Sequence, residues 1–182
     1  MNASLRRMTL GIALAAASLS VAGGAAAAPD SAPVAAIEKA FHGFNVGDMK
    51  EATAAFADEG QVTDEFAPYQ WRGPGAFTAW LSGLSDWEKA RGRTGDNMKV
   101  LSVTRSDVDG DTAYVVTHML YSFKEHGRRM SEPGDFAFVL HNTPAGWKVT
   151  AMSWAGGRPG PAVMKARAKP MSAPAAAAPK KS

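Results

Sequence analysis

An α+β fold, with three helices packed over one face of a strongly curved antiparallel sheet, is what this sequence predicts. Two observations carry it. Between residues 31 and 90 apolar side chains recur at helical spacing, and from Met98 onward β-rich runs are separated by hairpin-length turns. Helices followed by hairpin-linked strands stack on one side of an antiparallel sheet instead of alternating with strands in a parallel one. Such a pair of layers can leave a cavity between sheet and helices, a usual place for a small-molecule site.

The elements follow in order. Asp30-Ser31-Ala32-Pro33 supplies an N-cap and a first-turn proline. Val34, Ile37, Phe41 and Phe44 then form one apolar stripe, and Asn45 to Gly47 is expected to break the helix. Asp48 with Glu51 has capping-box spacing, and Met49, Ala52 and Phe56 give the second stripe. Residues 61–66 read as a short strand and 67–71 as a loop or a second one. Gly73-Pro74-Gly75 opens a third helix with Phe77, Trp80, Leu81, Leu84 and Trp87 on one side, ending at residues 92–96. Strands are expected at 98–106, 112–124, 130–141 and 147–154, an antiparallel meander.

The two ends read differently from this middle. Arg6 and Arg7, an apolar small-residue run over 8–24 and an Ala-x-Ala site at 25–28 have the layout of a secretory signal peptide covering 1–28. The expected address is therefore periplasmic or secreted. The chain has no cysteine, so export would bring neither disulfides nor an acylation site. Residues 157–182 are rich in Ala, Pro, Gly and Lys/Arg and are expected to be a disordered basic tail, with 29–156 as the folded domain. The net charge of +3 hides a segregation. Residues 29–156 hold twelve Lys and Arg against all 17 Asp and Glu, a net of −5. A fold that is itself acidic argues against nucleic acid as a partner. Membrane contact is expected only through the tail, where each basic residue near an anionic surface is worth about 1 kcal/mol at most.

Val46-Gly47-Asp48, Phe56-Ala57-Asp58, Val62-x-Asp64 and Arg72-Gly73 occur in this order, and the end reads Gly146-Trp147-Lys148-Val149 with Met152 and Ser153. Together they resemble the SnoaL-like and ketosteroid-isomerase-like families of the nuclear transport factor 2-like superfamily, over residues 34–156. The resemblance implies a cone-shaped sheet with the three helices over its concave face, and places Asp64 where the family's isomerases keep a catalytic carboxylate. It also implies an oxyanion-binding tyrosine near Ala40 and a second acid near Val139, and both are absent here. A base without donors for the developing enolate lacks a large electrostatic contribution, so steroid isomerisation is not the expectation.

Asp64 is the leading chemical residue: in an apolar cavity its pKa would rise and fit it for acid–base work, and at a strand end it would simply cap. Glu65 is expected on the other face, solvated. His118 either pairs with Asp64 as acid or base, or lies on the convex side; the alternation of 113–121 is apolar on both faces and leaves this open. Asp135 lines the cavity mouth or ends the turn at Pro133-Gly134. Tyr69, Trp71, Trp80 and Tyr121 offer aromatic surface for a planar or lipophilic ligand, as well as ordinary core. Two apolar sheet faces imply a covered convex side and hence a homodimer. Isolated histidines and missing thiolates give no basis for a metal site, and no cofactor motif is present. The expected function is binding of a small hydrophobic molecule in the cone. Alternatives are a cofactor-independent isomerase, lyase or hydrolase using Asp64, and a partner-binding module with a filled cavity.

Overall fold

The computed structural model describes residues 31–162. The expected signal peptide and most of the expected tail lie outside these residues. Helix α1 (Ser31–Val46) buries Pro33, Ile37, Ala40 and Gly43, with Phe41 and Phe44 beside them. It runs through Asn45, where a break was expected, and stops only at Gly47, whose φ of 76° suits a residue without a Cβ. Asn45 has a different task. Its Nδ2 donates to the Met98 carbonyl at 2.8 Å and its Oδ1 accepts from the Met98 N–H at 2.7 Å, so one side chain splices α1 to the sheet. Helix α2 (Met49–Ala54) is capped as its sequence predicts, Asp48 Oδ1 accepting from the Glu51 N–H at 3.0 Å. It ends before Phe56. That residue opens strand β1 (Phe56–Thr63) and stacks on Phe77 with ring centroids 4.3 Å apart. A helix-period match of only three apolar residues could not separate these outcomes.

Strand β2 (Gln70–Pro74) folds back on β1, and α3 (Ala76–Ala90) follows, burying Ala76, Phe77 and Trp80. Strands β3 (Arg93–Asp109), β4 (Thr112–Glu125), β5 (Arg128–Thr143) and β6 (Gly146–Gly156) form the expected antiparallel meander, each longer than the sequence pattern alone marks. The sheet order is β2-β1-β6-β5-β4-β3, with β1 and β6 parallel, the one departure from an antiparallel sheet. A short strand β7 (Gly160–Pro161) pairs with Met130 and Ser131 of β5. This strand lies past residue 156, where the tail was expected to begin.

The sheet is bent by register shifts between β3 and β4 at residues 94–97, 100–102 and 103–105, and between β5 and β6 at Val139/Leu140. An extra residue on one strand increases local twist and coils the sheet. On β4 the side chains of Ala113, Val115, Thr117, Met119, Tyr121 and Phe123 are buried, whereas Tyr114, Val116, His118 and Leu120 face the convex side. On β5 the inward set is Glu132, Gly134, Phe136, Phe138 and Leu140. Helices α1 and α3 roof this concave face, and the fully buried core of Val62, Val115, Met119, Phe138, Leu140 and Val149 closes the interior. At one end the layers do not meet completely.

Candidate functional site

Where they part, a narrow hollow of about 50 Å³ remains, open to solvent on one side. Phe41 and Phe44 of α1 form one side, and Trp80, Leu84 and Trp87 of α3 form the other. The sheet contributes Met98, Tyr121, Phe136 and Trp154, one from each of β3 to β6. Asp64, Glu65 and Phe66, in the connection between β1 and β2, complete the wall. Because β1 ends at Thr63, strand alternation does not govern these three. Asp64 is buried and Glu65 is exposed, as expected for Glu65, yet both line the hollow, so Glu65 is not turned away from it.

Asp64 is 9% exposed. Its Oδ2 accepts from Trp80 Nε1–H at 2.7 Å and its Oδ1 from the Glu65 backbone N–H at 2.6 Å. Burial is the dominant influence on its acidity and pushes the pKa up to about 6 from 3.8; the two N–H donors limit the rise. The group is therefore mostly ionised at neutral pH yet close enough to exchange a proton, as a general base must be.

A second acidic pair lies behind it. Glu132 is wholly buried, and neither of its oxygens has a hydrogen bond of good geometry. The Glu65 carboxyl and the Trp154 indole N–H are nonetheless near enough to act on it, and burial with the Glu65 charge pushes it up to about 8. Glu132 Oε1, Trp154 Nε1 and Glu65 Oε2 converge on Gly156, where an added Cβ would stand 2.0, 2.4 and 2.8 Å from them. The Tyr121 hydroxyl sits 2.6 Å from Asp96 Oδ1 and 2.9 Å from Glu88 Oε1. It has one hydrogen to give, and burial together with the Asp96 charge pushes Glu88 up to about 7. Arg93 is the buried cation of this region. Its Nε pairs with Glu125 at 3.2 Å, and its guanidinium lies 3.9 Å from the Phe123 ring centroid and 4.3 Å from that of Trp87.

Of the residues singled out in the sequence, Asp64, Trp80 and Tyr121 come together around the hollow. The others do not. His118 is on the convex face, its Nδ1 2.8 Å from Asp135 Oδ1, so neither residue lines the cavity and His118 cannot pair with Asp64. Tyr69 is 61% exposed at a φ of 71°, and its carbonyl accepts from the Asp64 N–H at 3.1 Å; it does not line the hollow. Trp71 packs behind Phe66, ring centroids 4.9 Å apart, and supports the wall from outside. Glu132 is the residue that sequence reasoning missed. Its parity with Phe136, Phe138 and Leu140 on β5 is the signal that places it indoors.

The model of the SnoaL-like domain matches residues 34–153, and the chain belongs to that family. A search of curated proteins finds no match. Among solved structures, a nuclear transport factor 2-like superfamily protein from Salmonella enterica aligns at a TM-score of 0.57 and 13% identity, covering 68% of this chain and 87% of the other. A candidate scytalone dehydratase from Novosphingobium aromaticivorans aligns at 0.59 and 13%, covering 75% and 89%. A ketosteroid isomerase-like protein from Erwinia carotovora aligns at 0.53 and 16%, covering 69% and 94%. At these identities the likeness is one of fold: an unclosed, curved sheet under N-terminal helices.

Proposed function

We propose that this chain binds a small hydrophobic or aromatic molecule in its cone. The observation that carries the reading is the hollow itself, apolar on every side except at Asp64 and Glu65. Thermal denaturation of the purified chain against a panel of lipophilic and aromatic compounds tests the proposal, because a ligand that binds only the folded state raises the melting temperature with its concentration. At least one class should give a saturable rise; no rise across the panel would remove the reading.

A second reading rests on Asp64 alone. A carboxylate at the wall of an apolar hollow with a pKa of about 6 is suited to cofactor-independent proton transfer, as an isomerase or lyase requires. Comparing turnover of any bound compound by the unmodified chain and by Asp64→Asn decides it: loss of at least a hundredfold supports catalysis, and unchanged turnover rejects it. Two further elements belong to this proposal. The signal-like layout of residues 1–28 supports export, checked by the N-terminal sequence of the protein recovered from the cell envelope. Val116, Leu120 and Val139 are only half-buried on the convex face, which supports a homodimer through that face. Leu120→Asp is expected to convert the dimer into a monomer in light scattering.

A further inference from the structure

We infer that the molecule held in the cone carries a positive charge, an amine or quaternary ammonium on an apolar body, seated against Asp64 and the surrounding aromatic rings. The inference rests on the binding proposal above and adds the ligand's class to it.

Three observations lead there. First, Asp64 is almost completely removed from water, yet its two hydrogen bonds come from neutral N–H groups, and no ion pair to it occurs among the described residues. A buried carboxylate without a counter-charge is costly, and a cation in the adjoining space relieves that cost. Second, no Lys, Arg or His lines the hollow, whereas two acids do. Arg93 is already committed to Glu125 and to the faces of Trp87 and Phe123, and it makes no ion pair with Asp64. Third, the remaining walls include Phe44, Phe66, Trp80, Phe136 and Trp154. The faces of aromatic rings attract cations, and cages of such rings recognise quaternary ammonium groups in water-poor sites. An anionic ligand would oppose both lining acids. A neutral one would leave Asp64 as it is.

The experiment is calorimetric titration of the purified full chain at pH 7.5 with three probes sharing one ring: benzyltrimethylammonium, benzyl alcohol and phenylacetate. The cation should bind at least tenfold more tightly than either other probe. Its affinity should fall severalfold at pH 5, where Asp64, faced by Glu65 and by the Trp80 N–H, holds its proton. Asp64→Asn, shown to be folded by its circular dichroism melt, should lose at least tenfold for the cation and little for benzyl alcohol. If the variant does not fold, the comparison of probes on the unmodified chain still decides. Equal or tighter binding of benzyl alcohol or phenylacetate overturns the charge inference while leaving the binding proposal intact. Unchanged cation affinity in folded Asp64→Asn overturns Asp64 as its partner. Binding of none of the three overturns the inference and counts against the proposal beneath it.

Discussion

Asp64 owes its properties to two neighbours that hold it and to an absence of water. Trp80 and the Glu65 amide fix the carboxylate at the wall, and burial raises its pKa. Glycine positions around it are equally specific. At Gly134 a Cβ would meet the Trp154 ring at 2.5 Å and the Ala155 carbonyl at 2.8 Å. Gly134→Ala is therefore expected to destabilise the fold by about 1–3 kcal/mol in chemical denaturation and to press Trp154 toward the hollow, weakening any ligand. At this scale the sequence was half legible. Asp64 could be read because its position in the motif order and the apolar residues around it agree. His118 could not, because both faces of β4 are apolar. Glu132 escaped notice because a buried acid breaks the burial rule, and the partners that tolerate it, Glu65 and Trp154, are far away in the chain.

Among the elements, the splice between α1 and β3 is the most exposed to test. Asn45 satisfies both backbone groups of Met98, itself a residue of the cavity wall. Asn45→Ala leaves that donor and acceptor without their partner, so a loss of about 1–3 kcal/mol is expected in urea unfolding. Hydrogen exchange at the Met98 amide should accelerate well beyond that of amides in β5; unchanged exchange would show that the splice holds nothing. Helices α1 and α3 were readable because each repeats its apolar face over several turns. The end of α2 was not, since six residues make too short a helix for periodicity to define, and Phe56 fits a strand equally well. The meander was readable from its turn residues. Strand lengths were not, because β3 begins and ends in polar residues that give no apolar alternation to read.

For the whole molecule, two buried carboxyls and the half-buried Glu88 make stability depend on pH in a definite direction. Asp64, Glu88 and Glu132 hold their protons in the folded chain up to about 6, 7 and 8, whereas the unfolded chain releases them near 3.8, 4.5 and 4.5. In that interval the folded state binds more protons, so their contribution to stability falls as pH rises from about 4 to about 8 and is level beyond. Melting temperature should decline across this range, and Glu132→Gln should flatten the upper part of the decline; a rise from pH 6 to 8 would refute the burial of these groups. The α+β class and the helix-before-sheet order were legible at this scale. The parallel pairing of β1 with β6 and the gap between layers were not, since both depend on how far the sheet bends, which bulges set and composition does not.

The most direct measurement is a carbon-13 NMR titration of the Asp64 carboxyl in the purified chain, its resonance assigned by comparison with Asp64→Asn. A midpoint near 6, moving lower as an aromatic ammonium compound is added, is expected for an acid that walls an apolar hollow. A midpoint near 3.8 that no added compound shifts would contradict the site.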